Sequence, residues 1–168
     1  MTNRSKKIFF SLTVILPLLA YCIYYYGMMI KNAPYRFSDF EYIRFEYGLC
    51  DSLINKYNSK TGAYQYETRN GKLKTMNMML SKDELLYLHR KASDLGFWNF
   101  PAVEKGDILN SNQKKAPQYV IEFVYKNKIK KVVFDQEYNG NTQLKDANMR
   151  LIKEIQKVLD EREAQLNK

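Results

Sequence analysis

The sequence predicts an α+β protein in which an N-terminal transmembrane helix precedes an antiparallel sheet, a strand meander plus a hairpin, packed by two helices. Three observations lead to this fold class. No charged side chain occurs between Ile8 and Ile30, alternating patterns typical of strands follow, and two later segments have the 3.6-residue period of amphipathic helices. Helices that are segregated from a run of antiparallel strands are typical of α+β domains.

The N-terminal segment predicts a signal-anchor helix. Residues 1–7 are basic, and residues 8–30 form an uncharged run at least as long as the roughly 20 residues that a helix needs to cross the hydrocarbon core. Tyr24 and the two tyrosines after it suit the aromatic belt at the far interface. The basic segment favours a cytosolic N-terminus, so the remainder of the chain is expected outside the cytosol, in the cell envelope.

Two other outcomes for this segment stay open on the sequence. Cys22 follows Leu-Ala-Tyr, which resembles a bacterial lipoprotein signal, but Tyr21 is larger than the small residue that usually stands before the modified cysteine. A secretory signal peptide would have a shorter apolar run and a small-residue cleavage site. An uncleaved, membrane-spanning anchor is the favoured interpretation.

The rest of the chain is predicted to be a linker, residues 31–38, followed by one α+β domain, residues 39–168, because one core is the default at this length. Removing the three N-terminal basic residues from the 27 in the chain leaves 24 against 18 acidic residues, a formal charge of +6. This excess favours an envelope protein or an anionic surface as partner, with a merely solvated basic surface as the simpler alternative. Nucleic acid is not expected, because the chain has no nucleic-acid motif.

Alternating side chains predict the strands. Strands are expected over residues 39–48 and 52–58, and a hairpin follows whose Asn70-Gly71 pair favours a type I′ turn. A second hairpin is expected to turn at Asn127-Lys128 and to return over residues 129–134. The first half of the domain is therefore a meander.

Two segments have helical periodicity. Ser81 and Glu84 match a capping box, and Gly96 stands where that helix would end. The second helix is expected over residues 144–165, with one apolar stripe. Residues 101–117 form the longest loop, and long ordered loops are often functional.

Familiar enzyme signatures are absent from the sequence. There is no G-x-S-x-G, no H-E-x-x-H and no glycine-rich phosphate loop. His89, the only histidine, flanks the apolar face of the first amphipathic helix, which favours a packing role over that of a catalytic base. No catalytic residue is assigned.

One segment resembles an EF-hand calcium loop. Asp135, Glu137 and Asn139 stand at positions 1, 3 and 5, Gly140 at position 6, and Asp146 at position 12. Alternating oxygen ligands suit a hard cation, although position 12 is usually Glu and a helix usually precedes the loop. A tight turn before a helix would use the same residues, and this is the favoured interpretation.

The expected function is that of a membrane-anchored, non-catalytic binding or accessory module that contacts lipid through residues 8–30. Two alternatives remain. One is an enzyme of unfamiliar type that uses the loop at residues 101–117, and the other is a domain stabilised by calcium through residues 135–146.

Overall fold

The computed structural model describes residues 3–31, 35–49, 52–106 and 116–166. The chain divides into two compact units, Met1–Arg36 and Phe37–Lys168. The first unit contains the helix α1, Asn3–Lys31, which continues through Pro17. Over the stretches that the structure describes, a helix both long and apolar enough to cross a membrane is not found.

Many of the described apolar side chains of α1 are exposed. Twelve large apolar or aromatic side chains along it are between 48% and 71% exposed. They are Phe9, Leu12, Val14, Ile15, Leu16, Leu18, Leu19, Tyr21, Ile23, Tyr24, Tyr25 and Tyr26. Packing within the first unit therefore does not bury this apolar surface.

The second unit is an α+β domain built on a seven-stranded mixed sheet. Its strands are β1 Phe40–Leu49, β2 Ser52–Asn58, β3 Ala63–Glu67, β4 Leu73–Asn77, β5 Val103–Glu104, β6 Pro117–Tyr125 and β7 Lys128–Asp135. Their order in the sheet is β4-β3-β2-β1-β6-β7-β5. Its helices are α2 Lys82–Asp94 and α3 Thr142–Leu166, with short 3-10 turns at Phe37–Asp39 and Phe97–Asn99.

The α+β class is confirmed, and the predicted antiparallel sheet needs one correction. β5 pairs in parallel with β7, so the sheet is mixed. β5 has only two residues and lies inside the segment predicted to be a loop, and two residues are too few for alternation to be visible in a sequence. Residues 107–115 of that loop lie outside the described residues.

The first predicted hairpin is confirmed, but its turn is not type I′. The amide of Gly71 donates to the carbonyl of Thr68 at 2.9 Å, and the amide of Thr68 donates to the carbonyl of Lys72 at 2.8 Å. The turn therefore begins one residue earlier than predicted, and Gly71 follows it with a φ of 71°. A three-residue hairpin loop that ends in a left-handed glycine has this geometry.

The predicted capping box is confirmed at the start of α2. The hydroxyl of Ser81 accepts from the amide of Glu84, and the Glu84 carboxylate accepts from the amide of Ser81 at 2.6 Å. This arrangement satisfies two backbone donors that no helical carbonyl can reach. The helix ends before Gly96, which has a φ of 76°, as expected for a helix C-terminus.

The core lies between α2, α3 and one face of the sheet. Large side chains that alternate along the strands fill it, together with Leu88 and Ala92 of α2 and the apolar stripe of α3. The fully buried members from the sheet include Ile43, Phe45, Tyr57, Ile121, Phe123, Val132 and Phe134. These residues share one face because neighbouring strands place directly paired positions on the same side.

Polar contacts between α3 and the far strands hold the helix in position. Glu163 Oε1 accepts from the hydroxyl of Tyr66 at 2.5 Å and from Nζ of Lys74 at 2.6 Å. Because the Tyr66 hydroxyl donates to a carboxylate, the pKa of this tyrosine is raised. α3 therefore lies on the same face of the sheet as α2, and neither helix covers the opposite face.

Candidate binding surface

The face of the sheet that α2 and α3 leave uncovered has rows of polar side chains across neighbouring strands. In the first row, directly paired positions run from β4 to β1. In the second row, they run from β2 to β7. The first row is Thr75, Gln65, Lys56 and Glu46, and the second is Asn58, Arg44, Glu122 and Lys131.

An open groove of about 420 Å³ lies along these rows. Ala63 is directly opposite Asn58, and its small side chain leaves room between the longer side chains of the neighbouring strands. The side chains of Arg44, Lys56 and Gln65 line the groove. We call this groove, with its two polar rows, the sheet groove.

The charges of the sheet groove fall into two groups. Arg44 Nη1 lies 3.5 Å from Glu122 Oε1, and Glu122 is largely buried, so this ion pair belongs to the sheet itself. Lys56 and Glu46 are direct cross-strand neighbours, but they form no ion pair with any residue that the structure describes. Both charges are therefore open to a ligand that carries the opposite charges.

The only histidine of the sequence packs against aromatic rings. His89 is 8% exposed and lies among aromatic rings, with its ring centroid 5.4 Å from that of Phe37 and 5.3 Å from that of Trp98. This burial agrees with the predicted packing role. The enzyme alternative depends on the loop at residues 101–117, of which residues 107–115 lie outside the described residues.

Two of the four residues of the predicted calcium loop have local partners of their own. The carboxylate of Asp135 accepts from the amide of Glu137 at 3.0 Å, and Asp146 pairs with Arg150 at 2.8 Å. In the described ranges, no group of three acidic, histidine or cysteine side chains could hold a metal ion. Calcium binding stays a prediction, because the proposed ligand set also includes the side-chain amide of Asn139.

Sequence reasoning missed one buried polar pair. Glu104, on β5, is 1% exposed, and its Oε2 accepts from Nδ2 of Asn148 on α3 at 2.8 Å. The other oxygen of each group, Glu104 Oε1 and Asn148 Oδ1, is buried and has no hydrogen-bond partner. A signal existed in the sequence, since Asn148 precedes the buried Leu151 and Ile152 at helical spacing and so interrupts the apolar stripe.

Burial governs the electrostatics of this pair. It raises the pKa of the Glu104 carboxyl, while the Asn148 hydrogen bond and the nearby Lys130 oppose the rise. Burial also lowers the pKa of Lys130, whose Nζ donates to the carbonyl of Phe100 at 2.5 Å. The pair is enclosed under α3, so it is suited to a structural role rather than to binding a ligand.

Comparisons with family models, with curated proteins and with solved structures find no match to this chain. The geometry of the described residues is therefore the basis for the function proposed below.

Proposed function

We propose that this chain is a membrane-anchored, non-catalytic binding module that uses the sheet groove to hold a polypeptide segment carrying both charges. The observation that carries the proposal is the pair Lys56 and Glu46, which stand side by side on an uncovered sheet face without ion-pair partners in the described part of the chain. Opposite charges that face solvent select a partner by charge complementarity.

The shape of the sheet groove supports a polypeptide as the ligand. A groove of about 420 Å³ that is open to solvent suits a segment laid across the sheet better than a compact metabolite, which is usually enclosed on most sides. Gln65 Nε2 already donates to the carbonyl of Ile54 and Asn58 Oδ1 already accepts from the amide of Lys60, so the neutral groups beside the charges are the hydroxyl of Thr75, Gln65 Oε1 and Asn58 Nδ2. Such groups can satisfy the backbone amides of an extended peptide.

The proposed anchor is residues 8–30. Two observations support it, namely the absence of charge over this run in the sequence and the exposure of the apolar side chains between Phe9 and Tyr26 in α1. Exposed apolar surface of this extent around a helix is costly in water and favourable in lipid. The basic N-terminus supports a cytosolic start, with the domain in the cell envelope.

The anchor is tested by expressing the full-length protein in a bacterium and measuring its mass, its fractionation and its sensitivity to protease in intact spheroplasts. We expect an uncleaved mass, recovery in the membrane fraction and digestion of the domain. A soluble, shortened product or a lipid-modified mass beginning at Cys22 would overturn the anchor. Protection from protease would overturn the orientation.

The sheet groove is tested by photo-crosslinking in the same cells. A photoreactive amino acid at Gln65, inside the groove, is compared with one at Lys153, which is exposed on α3. We expect polypeptide adducts only from position 65, with a loss of about fivefold or more when Lys56→Glu reverses one of the two open charges. Equal adducts from both positions, or adducts that are indifferent to Lys56→Glu, would contradict a groove-specific partner.

A further inference from the structure

The end of the domain at which the chain enters from α1 carries a cluster of lysines. The β6-β7 hairpin turns there, and residues 126–131 contain four lysines and no acidic residue. Nζ of Lys130 already donates to the carbonyl of Phe100, and Lys131 lies in the sheet groove, so we call Lys126 and Lys128, at the turn itself, the basic tip. Pairing of Phe40 with Tyr125 places the start of β1 beside the end of β6, and the amide of Lys126 donates to the carbonyl of Asp39 at 2.9 Å.

A fifth lysine lies at the same end of the sheet. Lys60, in the turn between β2 and β3, has its Nζ 3.9 Å from the carboxylate of Glu41 and 5.2 Å from the ring centroid of Tyr42. On the strands and turns at this end of the sheet, the acidic residues are Asp39 and Glu41, and each lies 3.9 Å from a lysine across an exposed, loose ion pair. The lysines outnumber these two carboxylates, so the net charge of these strands and turns is positive.

The opposite end of the sheet has a different charge pattern. The β3-β4 turn contains Arg69 and Lys72, and the acidic residues Glu67, Asp135 and Glu137 lie at that same end. The domain is therefore polarised along its strands, with its basic end where the tether begins. A single-sign cluster on one end is a means of orienting a protein toward an oppositely charged surface.

The length of the connecting chain limits where the basic end can be. Five residues, 32–36, separate the last residue of α1 from Phe37, and even a fully extended chain of that length spans no more than about 20 Å. If α1 is held in a membrane, this end of the domain is confined to a short distance from the headgroups. Lysines near a membrane surface are attracted by anionic lipid over about one Debye length.

We propose that the basic tip and Lys60 contact the anionic headgroups of the membrane in which α1 is anchored, and so orient the sheet groove relative to that membrane. This inference rests on the proposed anchor. It names anionic lipid as a second partner of the domain, distinct from the polypeptide assigned to the groove.

Trp98 is a built-in reporter for this contact. It is the only tryptophan in the chain, and its ring lies 5.9 Å from that of Tyr125, the last residue before the basic tip. Its fluorescence in full-length protein is measured in vesicles that contain a lipid with a spin-labelled headgroup, which quenches only nearby rings. Zwitterionic vesicles of phosphatidylcholine are compared with vesicles in which about a third of the lipid is phosphatidylglycerol.

We expect quenching to be about twofold stronger with the anionic lipid and to lose this gain at high salt. The variant Lys126→Gln/Lys128→Gln should lose the gain, whereas Arg69→Gln/Lys72→Gln removes the same charge at the opposite end and should keep it. Because Lys126 contacts Asp39, Lys60→Gln is a second variant that should reduce the gain without altering that contact.

Flotation of the same vesicles separates the two proposals. Protein that does not float with vesicles overturns the anchor. Protein that floats but is quenched equally in both lipids overturns the contact and leaves the anchor standing. If the basic-tip variant and the opposite-end variant lose the same share of the gain in quenching, the effect depends on net charge alone. That result would also overturn the contact.

Discussion

Glu104 and Asn148 form a buried pair in which each group has one oxygen without a hydrogen-bond partner. Two acceptors buried side by side are unfavourable, whereas a proton on the Glu104 carboxyl would let one oxygen donate to the other. Burial acts in the same direction, since it raises the pKa of this carboxyl above its ordinary value of 4.5. Folding therefore shifts the equilibrium of this carboxyl toward its protonated form.

The first prediction concerns the variant Glu104→Gln. A glutamine at this position can donate to Asn148 Oδ1 and still accept from Asn148 Nδ2, so the variant should be more stable than the parent protein at neutral pH by about 1 kcal/mol. A carboxyl with a raised pKa contributes its full stability below pH 4.5 and loses it as the pH rises through the folded-state pKa. The advantage of the variant should therefore shrink at acidic pH.

Urea unfolding at several pH values measures this difference. Glu67→Gln, at an exposed position, is the matched control and should change stability at no pH. An advantage of Glu104→Gln that did not vary with pH would contradict a titrating carboxyl at this site.

A second prediction concerns calcium at residues 135–146. Asp146 already pairs with Arg150, and this competes with the role of Asp146 as the last ligand. If calcium binds, Arg150→Gln should tighten binding in isothermal titration and Asp135→Asn should abolish it. No heat of binding in either the parent protein or Arg150→Gln would end the calcium hypothesis and leave the plain turn.

At the scale of elements, two glycines with the same backbone angle provide a matched pair. Gly62 and Gly71 both have a φ of 71°. An added Cβ at Gly62 would come within 2.2 Å of Asn77 Oδ1, whereas at Gly71 the nearest atom is 3.8 Å away. The backbone cost is therefore common to both positions, and the steric cost belongs to Gly62 alone.

The third prediction follows from this pair. Gly71→Ala should lower the free energy of unfolding by about 1 kcal/mol, the cost of a left-handed conformation for an ordinary residue. Gly62→Ala should cost clearly more, because Asn77 and Met79 must also move. Chemical denaturation of both variants gives the comparison, and an equal loss would mean that the neighbours of Gly62 yield freely.

The fourth prediction concerns the N-terminus of α2. Ser81→Ala removes the hydroxyl that accepts from the Glu84 amide, so the domain should lose about 1 kcal/mol of stability. Ser93→Ala, on an exposed position of the same helix, is the control and should have little effect. If both variants unfolded at the same denaturant concentration, the capping box would contribute nothing measurable.

At the scale of the whole molecule, the division at Phe37 implies an autonomous domain. The sheet, α2 and α3 all lie within Phe37–Lys168, which forms one compact unit. A chain that begins at Phe37 should therefore fold by itself and unfold in one cooperative transition, as single domains of this size usually do. Circular dichroism during urea unfolding tests this, and a broad, non-cooperative transition would show that the first unit is needed for folding.

Much of the fold was predictable because its signals are local. β2 spans the predicted residues Ser52–Asn58, and Ser81, Glu84 and Gly96 delimit α2 as expected. These elements depend on side-chain periodicity, capping and turn preferences that act within a few residues. The turn at Gly71 shows where local signals stop being sufficient. The same Asn-Gly pair is compatible with two hairpin geometries that differ by one residue of register.

The candidate surfaces were not predictable, because each joins residues that are far apart in the chain. The sequence did not single out Lys56. Its pairing with Glu46 across β1 and β2 becomes significant only because both helices pack on the other face of the sheet. Likewise, Glu104 and Asn148 meet across 44 positions, through a two-residue parallel strand. A charge or an amide has no local pattern that reports which group it will face.

The sequence by itself determined the α+β class, most element boundaries and the uncharged run at residues 8–30, because these follow from composition and short-range periodicity. Only the tertiary structure decided which face of the sheet is uncovered and which lysines gather at the end of the sheet where β1 begins. Those outcomes depend on strand order and on the side from which helices pack, and both are settled by the burial of the whole core.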